Sequence, residues 1–120
     1  MTANRAVWDE VRAIAYTDIT SDYQPLVTDS SSIGPFQYPM RLIHLINATD
    51  GIIMVSFDGI TDHVPVLAGV GVIYDITSDQ DTNDSLRMAK NTQVWIKYIT
   101  APTSGGGPTF WCAAMHGQAN

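Results

Sequence analysis

A chain of 120 residues is the size of one compact domain, with room for a single core and none for a second. Twelve acidic against six basic side chains leave a net charge of −6 at pH 7, a field that repels phosphate backbones and argues against direct nucleic-acid binding. Apolar residues make up 45 %, enough to offset the entropy of ordering, while charged residues make up only 15 % against roughly 25 % in an ordinary soluble domain. Much of the surface is therefore expected to be Thr, Ser, Gln, Asn and Ala, which suits contact with other proteins.

The kind of residue says more than the net charge. Eleven of the twelve acids are Asp, Glu10 is the single Glu, and Lys90 and Lys97 are the only lysines, so good exposed helix formers are scarce. Ile, Val and Thr number 12, 9 and 12, and these β-branched side chains favour pleated, half-buried surfaces. Cys112 is the only cysteine, which excludes an internal disulfide and points to synthesis in a reducing cytosol. The first ten residues lack the apolar run of a signal peptide, and no apolar run elsewhere is long enough to span a bilayer, so neither export nor membrane anchoring is expected.

In chain order, residues 1–12 read as an N-terminal arm, and the first strand is expected from Ala13 to Ile19. A short segment from Tyr23 to Val27 follows, placed at a sheet edge because Pro25 cannot donate to a ladder. Residues 28–39 hold Ser30-Ser31-Ser32, Gly34-Pro35 and Pro39 and read as a surface loop. Arg41 to Ile46 is a strand, Asn47 to Gly51 a turn, and Ile52 to Phe57 the returning strand, with Asp50-Gly51 supplying the positive φ of a tight hairpin. In that returning strand Ile53, Val55 and Phe57 face the core, while Met54 and Ser56 face away.

A second Asp-Gly, Asp58-Gly59, opens the next turn, and His63 to Leu67 and Val70 to Ile76 form a further pair around Ala68-Gly69. Thr77 to Asp84 are wholly polar, and Ser85 to Ala89 reads equally as a strand or a single helical turn. Thr92 to Ile99 alternates, with apolar residues on both sides: Val94, Ile96 and Tyr98 on one, Trp95, Lys97 and Ile99 on the other. One of those faces is expected to meet a partner. A glycine-rich turn over 100–108 then leads to a closing strand from Thr109 to His116, joined to its predecessor as a final hairpin, before a tail at 118–120. The pattern is all-β: one antiparallel β-sandwich over 13–117, jelly-roll or Ig-like, of about seven to nine short strands.

Chemistry is sparse. Asp79, Asp81 and Asn83 match the first ligand positions of a Ca²⁺ loop, but Asp84 stands where a turn glycine is needed and Lys90 where a bidentate Glu belongs, so a solvated, self-capping turn is expected. His44, His63 and His116 are isolated on strands and read as packed side chains, not metal ligands. Ser56, Asp58 and His63 offer the residue types of a hydrolytic triad without nucleophile-elbow glycines. Gly69-Val70-Gly71 lacks the third glycine and the helix of a phosphate cradle. Cys112, between Trp111 and Ala113, reads as a small inert hydrophobe. No catalytic residue, metal site or cofactor is expected. The residues singled out for protein contact are Trp8, Phe36, Tyr38 and Trp95: Phe36 and Tyr38 sit in a proline-flanked loop, Trp8 precedes the first expected strand, and Trp95 lies on one of the two apolar sides of the 92–99 strand. The loops 28–39 and 100–108 and the arm 1–12 are the contact segments.

The run from Arg41 to His63, in which a strand ending Asn47-Ala-Thr-Asp50 leads to one ending Ser56-Phe-Asp-Gly59, continues into Val70 to Ser78 and closes with Val94 to Ile99, Ala101-Pro-Thr-Ser-Gly105 and the last strand. This pattern resembles small β-sandwich virion proteins of tailed bacteriophages, over most of residues 11–117. The resemblance implies a non-enzymatic structural subunit, made in the bacterial host cytoplasm and resident in the virion as a head decoration (cement), collar or tail component. Its implied partners are other virion proteins, major capsid, portal-proximal or tail, and further copies of itself. The competing expectation is a carbohydrate- or cell-surface-binding module, which requires Trp95, Trp111 and the 79–84 loop exposed on one face.

Overall fold

The computed structural model describes residues 4–27, 35–75, 89–103 and 109–119. Nine strands are present among them: β1 Asn4–Trp8, β2 Arg12–Ala15, β3 Gln24–Pro25, β4 Met40–Asn47, β5 Ile53–Ser56, β6 Val64–Val66, β7 Gly71–Asp75, β8 Trp95–Tyr98 and β9 Thr109–Ala119. They form two antiparallel sheets. In the first, β1 and β2 lie end to end along one side of β9, and β4 and β7 follow on the other. The second runs β3-β8-β5-β6.

The register explains why β1 and β2 are one interrupted strand. Trp8 faces Met115 and Arg12 faces Cys112, so four steps on one strand match three on the other, and the extra residue makes a bulge at 9–11. Counting β1 and β2 together, each sheet has four strands, and the chain visits them in the order first, second, first, second, second, first, second, first. That order is the jelly roll. An Ig-like sandwich would put the first two strands in one sheet; here β2 and β3 lie in opposite sheets.

Three expected hairpins are therefore corners between layers. β4 and β5 do not pair with each other, nor do β6 and β7, nor β8 and β9; among the described strands only β5 and β6, joined through Asp58-Gly59, form a local hairpin. Gly59 and Gly69 adopt positive φ, 78° and 71°, but Gly51 does not. What Gly51 supplies is room, since a Cβ there would lie 2.2 Å from the Thr100 carbonyl oxygen. The corner is held by Asn47, whose Nδ2 donates to the carbonyls of Gly51 (2.8 Å), Val66 (2.9 Å) and Leu67 (3.1 Å) while its Oδ1 accepts from the Thr49 amide and hydroxyl. Asp50 extends the tie by accepting from the Thr103 amide and hydroxyl.

Other boundaries also move. The strand expected from Ala13 to Ile19 runs Arg12–Ala15 and continues as a 3₁₀ turn over Tyr16–Asp18. Residues 4–8 of the expected arm are paired strand, and Gln118 and Ala119 of the expected tail belong to β9 opposite Arg5 and Asn4. Each of these segments is too short to declare itself, and its partner lies at the other end of the chain. The polar stretch 77–84 and most of Ser85 to Ala89 lie outside the described residues.

Between the sheets sits one core, including Leu26, Ile43, Leu45, Val55, Ile96 and Phe110. Phe36 belongs to it. It is fully buried, its backbone pairs with Asn91 and Thr92, and the Arg12 guanidinium lies 4.7 Å above its ring. Arg12 itself is 1 % exposed, with its charge met by Asp9 at 3.0 Å and the carbonyls of Glu10 and Pro35. A buried ion needs that complete a set of partners.

Candidate interaction face

Two outer faces remain once the core is filled, and they differ in how the chain finishes them. On the β3-β8-β5-β6 sheet, Trp95 and Lys97 alternate with buried Val94 and Ile96 and so point outward. The β5–β6 loop folds back over them. Gly59 lies on the indole of Trp95, so close that a Cβ would meet the ring at 2.9 Å. Ser56 is fully buried beneath this loop; its Oγ donates to Asp58 and accepts from the amides of Asp58 and Gly59.

The loop is pinned by carboxylates at both ends. Asp58 Oδ1 accepts from the amides of Thr61 (2.7 Å) and Ile60 (2.8 Å), and these two bonds hold its carboxyl below the ordinary range. Asp62 accepts from the Tyr23 hydroxyl and pairs with Lys97 Nζ at 3.3 Å, and the same lysine lies 4.5 Å from the Tyr23 ring centroid. The Tyr23 bond and then the lysine lower the Asp62 carboxyl, while partial burial and then Asp62 raise the Tyr23 phenol. On this outer face the chain's own loop thus covers Trp95 and ties down Lys97, while Ile99 and, on the loop itself, Ile60 stay exposed at 52 % and 85 %.

The outer face of the other sheet is different. Trp111 and Met115 of β9 alternate with fully buried Phe110, Cys112 and Ala114, and Leu42, His44 and Ile46 of β4 alternate with buried Ile43 and Leu45. The register sets Trp8 beside Met115 and Leu42, Ala13 beside Trp111 and Ile46, and Ile73 beside His44 and Ala113. Trp8 and Ile73 are each 59 % exposed, and the side chains between them are half-buried. Among the described residues of β4, β7 and β9 on this side, Asp75 is the one acid, at the corner of the face, with Arg41 at the β4 bulge nearby.

The four residues singled out for contact therefore separate. Trp8 stands on the apolar face. Tyr38 is 47 % exposed and stacks on His116, ring centroids 4.2 Å apart. Trp95 is half-covered by Gly59, and Phe36 is corrected to core: its backbone bonds to Asn91 and Thr92 and the Arg12 guanidinium over its ring hold it inside. Leu42, Ile46, Ile73, Trp111 and Met115 were not singled out for packing contact. The signal was present in β4 and β9, whose strands are apolar on both sides, the same pattern that drew attention to 92–99.

The other constellations do not assemble. Ser56 donates to Asp58 and not to a histidine, and His63 Nδ1 accepts from the Phe57 amide, so the three residues form turn chemistry instead of a proton relay. His44 faces outward from β4, His116 is 4 % exposed on the inner side of the same sheet, and His63 lies in the β5–β6 loop. No group of three or more His, Cys, Asp or Glu among the described residues is placed to hold a metal ion. Cys112 is fully buried, and burial pushes its thiol up to about 12, which is the inert hydrophobe expected. Trp95 and Trp111 lie on outer faces of opposite sheets, so the single sugar-binding platform requiring both is not built; the 79–84 loop lies outside the described residues. No helix among the described residues is long and apolar enough to cross a membrane. The chain matches no family model, no curated protein and no solved structure.

Proposed function

We propose that this chain is a non-enzymatic structural subunit of a tailed-phage virion, a head decoration or cement protein or a collar or tail component, that works by packing against neighbouring virion proteins. The observation that carries the reading is the apolar outer face of the β1/β2-β9-β4-β7 sheet, with Trp8, Trp111, Leu42, Ile46, Met115 and Ile73 on one side of the sheet and Asp75 at its corner. A face depleted in Lys and Glu loses little desolvation energy and little side-chain entropy on burial, and aromatic and Met side chains are the ones enriched in interface centres. The jelly roll is compatible with this role and with others, so the fold by itself adds no weight. The resemblance of the strand and turn pattern supplies the virion setting.

The test is quantitative mass spectrometry of gradient-purified tailed-phage particles from cells expressing the chain. Retention at a copy number set by the symmetry of one position is expected, with loss of a Trp8→Asp, Trp111→Asp double variant that still folds. Absence of the unmodified chain from the particles, with binding on a glycan array in its place, overturns the reading.

A further inference from the structure

Among the described residues the two sheets have four edges, and three of them carry a feature that works against strand addition. Both edges of the β3-β8-β5-β6 sheet carry proline, Pro25 in β3 and Pro65 in β6, which cannot donate to an added strand. The β1/β2 edge is broken by the bulge at 9–11. β7 has neither proline nor bulge, and within Gly71–Asp75 its one charge is the terminal Asp75.

The register shows which main-chain groups of β7 face outward. The Asn47 amide donates to the Val70 carbonyl at 3.0 Å, so alternation along the ladder turns the amides and carbonyls of Val72 and Tyr74 to β4 and those of Gly71 and Ile73 to the open side. Exposed apolar side chains gather on the same segment: Leu67, Val70, Ile73 and Tyr74 are 55 %, 38 %, 59 % and 39 % exposed.

We propose that this edge pairs with the same edge of a second copy, antiparallel about a two-fold axis at Val72. The strand is complementary to itself in that arrangement. Gly71 of each copy exchanges both main-chain bonds with Ile73 of the other, about four hydrogen bonds in all. The Ile73 side chain covers the bare Gly71 of the second copy on the outer side, and Tyr74 covers the second copy's Val70 on the inner side. Asp75 falls opposite a glycine, Gly69 of the second copy, so two chains of net charge −6 join without opposing acids. Head-to-tail pairing needs two usable edges in one sheet; among the described residues the opposite edge of this sheet is interrupted at 9–11, and the symmetric contact uses the β7 edge of both copies, so the assembly closes as a dimer. The product is an eight-stranded sheet that joins two apolar outer faces into one. This deepens the packing reading above and rests on it, with main-chain strand addition as the contact.

The test is the solution mass of the purified chain by light scattering at about 100 µM, where a contact of micromolar affinity is populated. Twice the 13.1 kDa of the chain is expected. Ile73→Pro removes an amide that makes no bond to β4, so it is expected to halve the apparent mass with an unchanged circular dichroism spectrum; Ile73→Lys gives the same halving through the side chain if the proline variant does not fold. A monomeric unmodified chain overturns the proposal, including the case in which the Gly71 and Ile73 amides resist hydrogen exchange because a segment of the same chain covers them. A dimer that survives both Ile73 variants and dissociates in Trp8→Lys also overturns it, by placing the contact on the face and not the edge. Particle incorporation, measured separately, fails or holds independently of these masses.

Discussion

Trp95 and Trp111 each stand outward from an interior strand of their sheet, each flanked by buried neighbours, yet among the described residues only Trp95 is roofed by a loop of its own chain. Over Trp95 the β5–β6 loop brings a glycine against the ring and fastens itself with Asp58, Asp62, Tyr23 and Lys97. Around Trp111 the neighbours are more sheet: Ala13, Ile46 and, further out, Trp8 and Ile73 in partial contact with solvent. Similar strand chemistry thus leaves one tryptophan under a loop of its own chain and the other within a broad, half-buried apolar sheet face. The difference lies in the connections, since a loop of polar hydrogen bonds can cover an aromatic at little cost while a bare apolar sheet keeps its full incentive to be covered.

The largest effect is expected where the two layers part. Asn47→Leu leaves the Gly51, Val66 and Leu67 carbonyls without their donor and costs about 3 kcal/mol, read as a lower midpoint in chemical denaturation with both faces lost in a single transition. Next is Gly59→Val, which combines a positive φ with a contact on Trp95 and costs about 2 kcal/mol; acrylamide quenching should then reach Trp95, making that face resemble the other.

Acid acts in the same direction more gently. Asp58 and Asp62 are held below their ordinary values in the folded chain, so the stability they lend is complete above the unfolded carboxylate range and drains away as pH falls from about 4 toward their folded values. Amide exchange in residues 57–63, corrected for intrinsic rates, should quicken at low pH while β4 and β9 stay protected. The smallest effect belongs to Trp8→Ala, which should change unfolding free energy by less than about 1 kcal/mol yet weaken packing on the apolar face, measured as reduced incorporation into particles. A large stability loss in this variant would mean that Trp8 is structural and the face already satisfied.

The strands Arg41 to Ile46 and Ile52 to Phe57 were legible, as was the inside-outside alternation of the second, because period-two patterning is local. So was the inert burial of Cys112, set by its apolar strand. The contact residues were only half legible. Phe36 and Trp8 look alike in sequence, both aromatics in poorly patterned segments, and one is core beneath Arg12 while the other is exposed; the difference rests on Asp9, Pro35 and Asn91, none of which is adjacent to Phe36 in a repeating pattern except Pro35.

By itself, then, the sequence determined an all-β sandwich: its β-branched content, its alternation and its turn residues are properties of neighbours in the chain. Which strands pair was decided only in three dimensions. Asn47 to Gly51 reads as a hairpin turn, and the same residues serve as a corner because Asn47 finds carbonyls at positions 66 and 67 and Gly51 fits beneath Thr100. Asp50-Gly51 and Asp58-Gly59 are the same dipeptide, and one turns between sheets while the other closes a hairpin within one. Local propensity specifies that the chain bends; long-range hydrogen bonds and packing choose the sheet to which it returns.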